Sequence, residues 1–212
     1  MRVQPIGPDM AARAARRYHY LHRKPPISYA FGLIDDAELV GICTFGTPPS
    51  RHLQVGVCPT DPALVVELNR LWVDDRMPTN TESWFVARAL GLMPPRIVVS
   101  YADPVAGHVG MIYRALNFNF AGMTDADRAT PRLDYMPIKA GAHTREATRS
   151  GVAGKVRRVP KYRYWITTGN RQDRRKLAAV CRWPSLPYPR ATFTGDGSDI
   201  GEAGCDEGVC FV

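Results

Sequence analysis

A mixed α/β (α+β) fold is predicted by three features of the 212-residue chain. Residues 65–122 spell strand, helix, strand, helix: a β-branched run at Val65–Val73, a period-3.6 segment, the apolar run IVVS, and a second helical segment, HVGMIYRALNF. Upstream, Ser28–Ile34 and Leu39–Phe45 are two short strand-like runs joined by Asp35-Asp36-Ala37-Glu38, the pattern of an antiparallel hairpin. With 45% hydrophobic residues the chain is long enough to bury one sizeable core.

In chain order, Asp9–His22 is rich in Ala and Arg and reads as a helix, broken by Arg23-Lys24-Pro25-Pro26. His19 and His22 are three apart, a spacing that either pairs two imidazoles for a metal or leaves His19 and Tyr20 to line a pocket at the helix end. Gly46–Pro62 is polar and Pro-rich and reads as a loop, insertion or lid. In Val65–Val73, strict alternation puts Glu67, Asn69, Leu71 and Val73 on one face and Val66, Leu68, Arg70 and Trp72 on the other. Polar residues interrupt both faces, an inconsistency that marks either a site or an edge strand.

For the next helix, Thr79 and Glu82 have capping-box spacing, and Phe85, Val86, Ala89, Leu90 and Met93 share its apolar face. A strand feeding a helix start leaves amides pointing at the strand end, a setting that suits an anion such as phosphate. The strand Arg96–Asp103 turns polar at its C-terminal end, where α/β sheets place ligands, so Ser100, Tyr101 and Asp103 are candidates; a turn or cap before Pro104 accounts equally well for Asp103. Gly107–Leu116 is the second helix. Its Tyr113 is either core or a general acid reaching back to that strand end. Asn117–Phe120 and Leu133–Met136 read as closing strands.

The net charge of +8 is uneven. Residues 139–190 hold 14 Lys or Arg against Glu146 and Asp173, a net +12, whereas residues 191–212 hold five acids and no base. This divides the chain into a nearly neutral body (1–136), a basic extension (137–190) and an acidic, Gly-rich tail (191–212) expected to be disordered and able to shield the basic segment. Arg157, Arg158, Lys161, Arg163, Arg174, Arg175 and Lys176, interleaved with Tyr162, Tyr164 and Trp165, suit phosphate contacts and base stacking. No apolar run reaches eighteen residues and the start lacks a signal-peptide core, so a soluble cytoplasmic protein without membrane contact is expected. Five irregularly spaced cysteines argue against a disulfide framework or zinc ribbon.

The element order resembles the N-acetyltransferase (GNAT) fold, a mixed, mostly antiparallel sheet flanked by helices. The blocks YHYLHRKPP, ELNRLWVDDRMPTNTESWFVARAL, VVSYADP and GHVGMIYRALNF resemble the Mom family of phage DNA-modification proteins. The resemblance covers about residues 10–136. It implies conversion of adenine N6 in duplex DNA to a carbamoylmethyl group, which protects phage DNA from restriction. It also implies a site that includes His19, Tyr20, Arg70, Ser83, Ser100, Asp103 and Tyr113. An acetyl-CoA or related acyl donor follows from the fold, yet the glycines usual in its phosphate loop are replaced by Arg76-Met77-Pro78-Thr79-Asn80-Thr81. Thr79, Asn80, Thr81 and Ser83 at the helix start remain able to bind an anion. The adenine would have to be flipped out of the duplex, with Asp103 accepting its proton and Tyr113 protonating a leaving group. Iron near His19 is a further possibility for forming the N–CH2 bond. The competing functions are an acetyltransferase of a small amine or protein, and a non-catalytic basic DNA-binding protein.

Overall fold

Nine strands and five helices are formed by the residues that the structure, a computed structural model, describes: 1–19, 21–104, 109–126, 128–130, 132–135 and 155–189. They are β1 (Arg2–Pro5), α1 (Pro8–Arg17), β2 (Tyr29–Asp35), β3 (Glu38–Gly46), α2 (Arg51–Val57), β4 (Val65–Val73), α3 (Thr81–Gly91), β5 (Ile97–Ala102), α4 (Met111–Ala115), β6 (Asn119–Met123), β7 (Leu133–Tyr135), β8 (Lys155–Arg157), β9 (Tyr162–Thr167) and α5 (Arg171–Val180). The main sheet has the order β1-β2-β3-β4-β5-β9-β6, and all of its pairings are antiparallel except β4 with β5. This is the mixed, mostly antiparallel sheet that the sequence predicts.

Apolar residues on both faces force helices onto both. On one side Val66, Leu68, Val98, Ala102 and Tyr164 bury against Phe85, Val86 and Ala89 of α3, with Ile112 and Tyr113 of α4 and the following Leu116 alongside. On the other, Val65, Ile97, Val99 and Trp165 pack with Val57 of α2 and Leu177 of α5, while Ala14 and Ala15 of α1 sit on Ile42 beside Trp72.

Several expectations are corrected. The basic extension does not stand apart from the body: β9 lies inside the sheet between β5 and β6, so the expected boundary at residues 136/137 separates strands of one core. The run YRYWIT is alternating and aromatic, a strand pattern that its Lys and Arg neighbours mask. Leu133–Tyr135 does not close the main sheet but pairs with Lys155–Arg157 in a separate two-stranded ribbon. The Gly46–Pro62 loop contains α2, held by the buried Gln54 amide donating to the Pro62 and Val65 carbonyls. Helix α1 ends at Arg17, not His22, because the Tyr18 ring turns down to stack on Trp72 at 4.4 Å. The strict alternation in β4 also fails. Thr44 faces Arg70 and Phe45 faces Leu68, which leaves Asn69 as a bulge that shifts the phase, so Val73 joins Val66 and Leu68 in the α3-side core. The Arg157 side chain, the Lys139–Gly154 stretch and the acidic tail lie outside the described residues.

Candidate active site at the divergence of β4 and β5

The two parallel strands pair only over Val65–Ile97, Val66–Val98 and Glu67–Val99. Beyond these, β4 follows β3 and β5 follows β9, so the sheet splits at its centre. The Asn69 bulge is fixed from two sides: Thr44 Oγ1 donates to its Oδ1 at 2.7 Å, and its Nδ2 donates to the Pro26 carbonyl at 2.7 Å. The second bond ties the segment after α1 across β4.

On the α3 side of the split, Ser100 Oγ lies 2.8 Å from the Tyr113 hydroxyl and 3.1 Å from the Leu68 carbonyl. The Tyr113 ring stacks on Tyr164 at 4.8 Å and meets Phe118 at 5.2 Å. Tyr164 donates to the Val109 carbonyl at 2.8 Å and passes so close to Gly110 that a Cβ there would meet its ring at 2.5 Å. Gly110 has φ +73°, so glycine answers both the backbone conformation and the close approach. This packing fixes where α4 begins and aims Tyr113 at the split.

On the opposite face Glu67 is the central group. Its Oε2 is out of solvent and has no hydrogen-bond partner among the described residues. Burial pushes its carboxyl up to about 7, against the opposing pull of Arg70 and Lys161. Burial, and next the Glu67 charge, raise the Tyr101 hydroxyl above its ordinary range, with Arg163 and Arg158 pulling the other way. Lys161 Nζ pairs with Asp103 Oδ2 at 3.1 Å. Arg163 sits 5.3 Å over the Trp183 ring, which meets Tyr101 edge-on at 6.4 Å. His19 is buried; burial, then Arg70, then His22 lower it to about 4, so it is neutral. Its Nδ1 accepts from the Leu21 amide at 3.1 Å, which places the ring proton on Nε2.

At the start of α3 the Thr79–Glu82 capping box does not form. Asn80 is the N-cap, in the left-handed region at φ 70° and without a side-chain cap bond, so the first-turn amides are not covered by a capping side chain. Thr81 Oγ1 donates back to the Pro78 carbonyl at 2.6 Å and Ser83 Oγ to the Asn80 carbonyl at 2.9 Å. Arg76 is drawn away into pairs with Asp74 and Glu38, and its guanidinium holds the Asp74 carboxyl down at about 2. A helix start left open in this way fits an anionic group even without glycines.

The described contacts join Ser100 with Tyr113, His19 with Arg70, and Asp103 with Lys161, and the Tyr113 hydroxyl also lies 3.4 Å from the Tyr101 carbonyl, two residues before Asp103. Tyr113 belongs to the α3 side, whereas the Lys161 partner of Asp103 is shared electrostatically with Glu67. His22 is exposed, with Nδ1 2.9 Å from the Arg16 carbonyl, so it does not share a helical face with the buried His19. Among the described residues no group of three or more His, Cys, Asp or Glu could hold a metal ion. Tyr164 and Trp165 are core residues, not base-stacking ones, because alternation in a central strand sends one to each buried face. Tyr162 is half-buried against Phe120, while Arg158 and the Arg174, Arg175 and Lys176 side chains of α5 are exposed. Tyr20 lies outside the described residues. The sequence marks Glu67 as a polar break that signals either a site or an edge strand, without giving it a role; Trp183, set in a Pro-rich stretch, carries no such signal.

A split central sheet thus carries an open helix start on one side and a half-buried cluster of ionisable residues on the other. The chain belongs to the Mom protein family, whose model matches residues 1–190. It is 35% identical over 208 residues to the methylcarbamoylase mom of Escherichia phage Mu, covering 90% of this chain and 84% of that protein. Among solved structures it is similar to the putative acetyltransferase yncA of Salmonella typhimurium (8% identity, 80% of this chain and 95% of that chain, TM-score 0.45). It is also similar to a GNAT-superfamily phosphinothricin acetyltransferase of Sinorhizobium meliloti (10% identity, 79% and 88%, TM-score 0.45). No described helix is long and apolar enough to cross a membrane.

Proposed function

We propose that this chain modifies adenine N6 in duplex DNA to N6-(carbamoylmethyl)adenine, and that Glu67 takes the proton from the amine. The observation that carries the site assignment is the Glu67 carboxyl, whose Oε2 is out of solvent and lacks a hydrogen-bond partner among the described residues, and which is raised to about 7. A base of that strength is ionised in part at neutral pH and still basic enough to accept a proton. Family membership and 35% identity to a methylcarbamoylase support the reaction class.

An adenine inside the stack is out of reach, so the base is flipped, at a cost on the order of a few kcal/mol. Lys161, Arg163 and Arg158 line the side on which it enters, and Tyr101 and Trp183 offer ring surfaces beside Glu67. An acyl-type donor would lie in the split from the other face, its anionic end at Thr79, Asn80, Thr81 and Ser83. Acyl transfer alone would leave an amide on N6, so the donor bound there would have to carry –CH2–CONH2 on a leaving group. As N6 forms its bond to the CH2 carbon, the bond from that carbon to the leaving group breaks, the N–H proton passes to Glu67, and the Tyr113 hydroxyl, beside Ser100, protonates the leaving group. Asp103 acts through Lys161, holding an ammonium near Glu67. Neutral His19 keeps an N–H donor on Nε2 beside Arg70.

The test is mass spectrometry of nucleosides from DNA of cells producing the chain. Deoxyadenosine carrying a carbamoylmethyl increment is expected. Unshifted deoxyadenosine alongside soluble protein would remove the proposal, and an acetyl increment on another amine would replace it with the acetyltransferase reading.

A further inference from the structure

In the sequence the net positive charge is concentrated in the C-terminal third, but the fold also sets basic residues of the N-terminal helix beside the site. The three helices on the Glu67 face are all basic: α1 carries Arg13, Arg16 and Arg17 against Asp9, α2 carries Arg51 and no acid, and α5 carries Arg171, Arg174, Arg175 and Lys176 against Asp173. Burial of Ala11, Ala12, Ala14 and Ala15 on the sheet turns Arg13, Arg16 and Arg17 outward, and all three are exposed. No carboxylate among the described residues pairs with them, in contrast to Arg76, which Asp74 and Glu38 neutralise. Arg17 is further held 5.1 Å over the Tyr18 ring, itself stacked on Trp72, so less side-chain freedom is lost when it meets an anion.

The position of α1 gives this row its meaning. The helix covers β3 and β4 through Ile42 and Trp72, and its last turn leads straight to the buried His19. Helix α5 covers β5 and β9 through Ile97, Val99 and Trp165. Glu67 on β4 and Tyr101 on β5 therefore lie between two basic helices on one face of the sheet. We infer that Arg13, Arg16 and Arg17 of α1 form a second phosphate-binding surface, so that duplex DNA bridges α1 and α5 with the target base over the split between them. Arg13 and Arg17 are one turn apart, about 6 Å along the axis, a span of about two nucleotides of one strand. The row is not a membrane contact, because the apolar side of α1 is already buried on the sheet.

The inference rests on the DNA-binding half of the proposed function and is tested apart from its chemistry. Binding of a fluorescein-labelled duplex by the full chain is followed by anisotropy across a potassium chloride series. The triple variant Arg13→Gln, Arg16→Gln, Arg17→Gln is compared with Arg2→Gln, Arg88→Gln, Arg114→Gln, which removes the same charge from β1, α3 and α4. The α1 variant is expected to flatten the log–log salt slope by about two to three, close to one for each lost phosphate contact, and the control variant to leave it unchanged. Circular dichroism establishes that both are folded. An α1 variant with the parent slope, or equal flattening by the control, overturns the inference. Nucleoside analysis is run separately: product without a slope change leaves the reaction standing and removes the α1 surface, and a slope change without product does the reverse.

Discussion

Replacing Glu67 with Gln keeps the shape of the side chain and removes its ionisation. In the folded chain the carboxyl titrates at about 7 instead of the ordinary 4.5, chiefly through burial. Between those two values the folded state binds more protons than the unfolded state, so stability falls as pH rises through the window. Below about 4.5 the neutral acid costs nothing extra; above about 7 the full penalty is present, on the order of 3 kcal/mol from the separation of the two values. Glu67→Gln should therefore be nearly neutral at low pH and more stable than the parent by up to about 3 kcal/mol in mildly alkaline buffer. Urea unfolding of both proteins across this range measures it. Parallel stability curves with a constant offset would refute the raised titration of this carboxyl. In the same variant DNA modification should be abolished, and in the parent the rate should climb as pH passes through about 7, because the base acts only when ionised.

Tyr113→Phe keeps the stacking on Tyr164 and Phe118 but loses the contact with Ser100; a stability loss of about 1 kcal/mol and loss of modified nucleoside are expected, with DNA affinity unchanged. Retained product would show that the proton donor is elsewhere. Tyr164→Ala empties a fully buried ring position and should cost about 4 kcal/mol in urea unfolding; a folded protein of parental stability with weakened DNA binding would instead restore the stacking role expected from the sequence. His19 should stay neutral well below pH 6, because its titration is lowered to about 4; as pH falls from 6.5 toward 4 the unfolded state takes up the proton first and stability declines. A proton NMR titration of the ring with a midpoint near the ordinary value would contradict its burial.

Much of the site was legible in the residues. The polar end of β5 and the tyrosine of α4 point to the contact that Ser100 makes with Tyr113, because strand and helix periods fix which residues reach the end of the sheet. Glu67, Asn69 and Arg70 stood out as polar breaks in an apolar strand. What alternation could not supply was the bulge at Asn69, which arises from side-chain bonds to Thr44 and Pro26, distant in sequence. The Thr79–Glu82 spacing promised a cap that the left-handed Asn80 displaces by one residue, since a capping box needs an extended backbone at the cap.

The sequence by itself determined the fold class, the hairpin, the helix over the β4–β5 crossover and the surplus of positive charge, because each depends on local period and composition. Only the tertiary structure decided that the YRYWIT run enters the sheet between β5 and β6, that Asp103 answers to Lys161 while Tyr113 answers to Ser100, and that the basic helices α1 and α5 share the face on which Glu67 sits. The physical reason is common to all three. Strand pairing, charge partnership and the side on which a helix packs are set by residues tens of positions apart whose contacts exist only once the core has closed, and no window of sequence contains both members of such a pair.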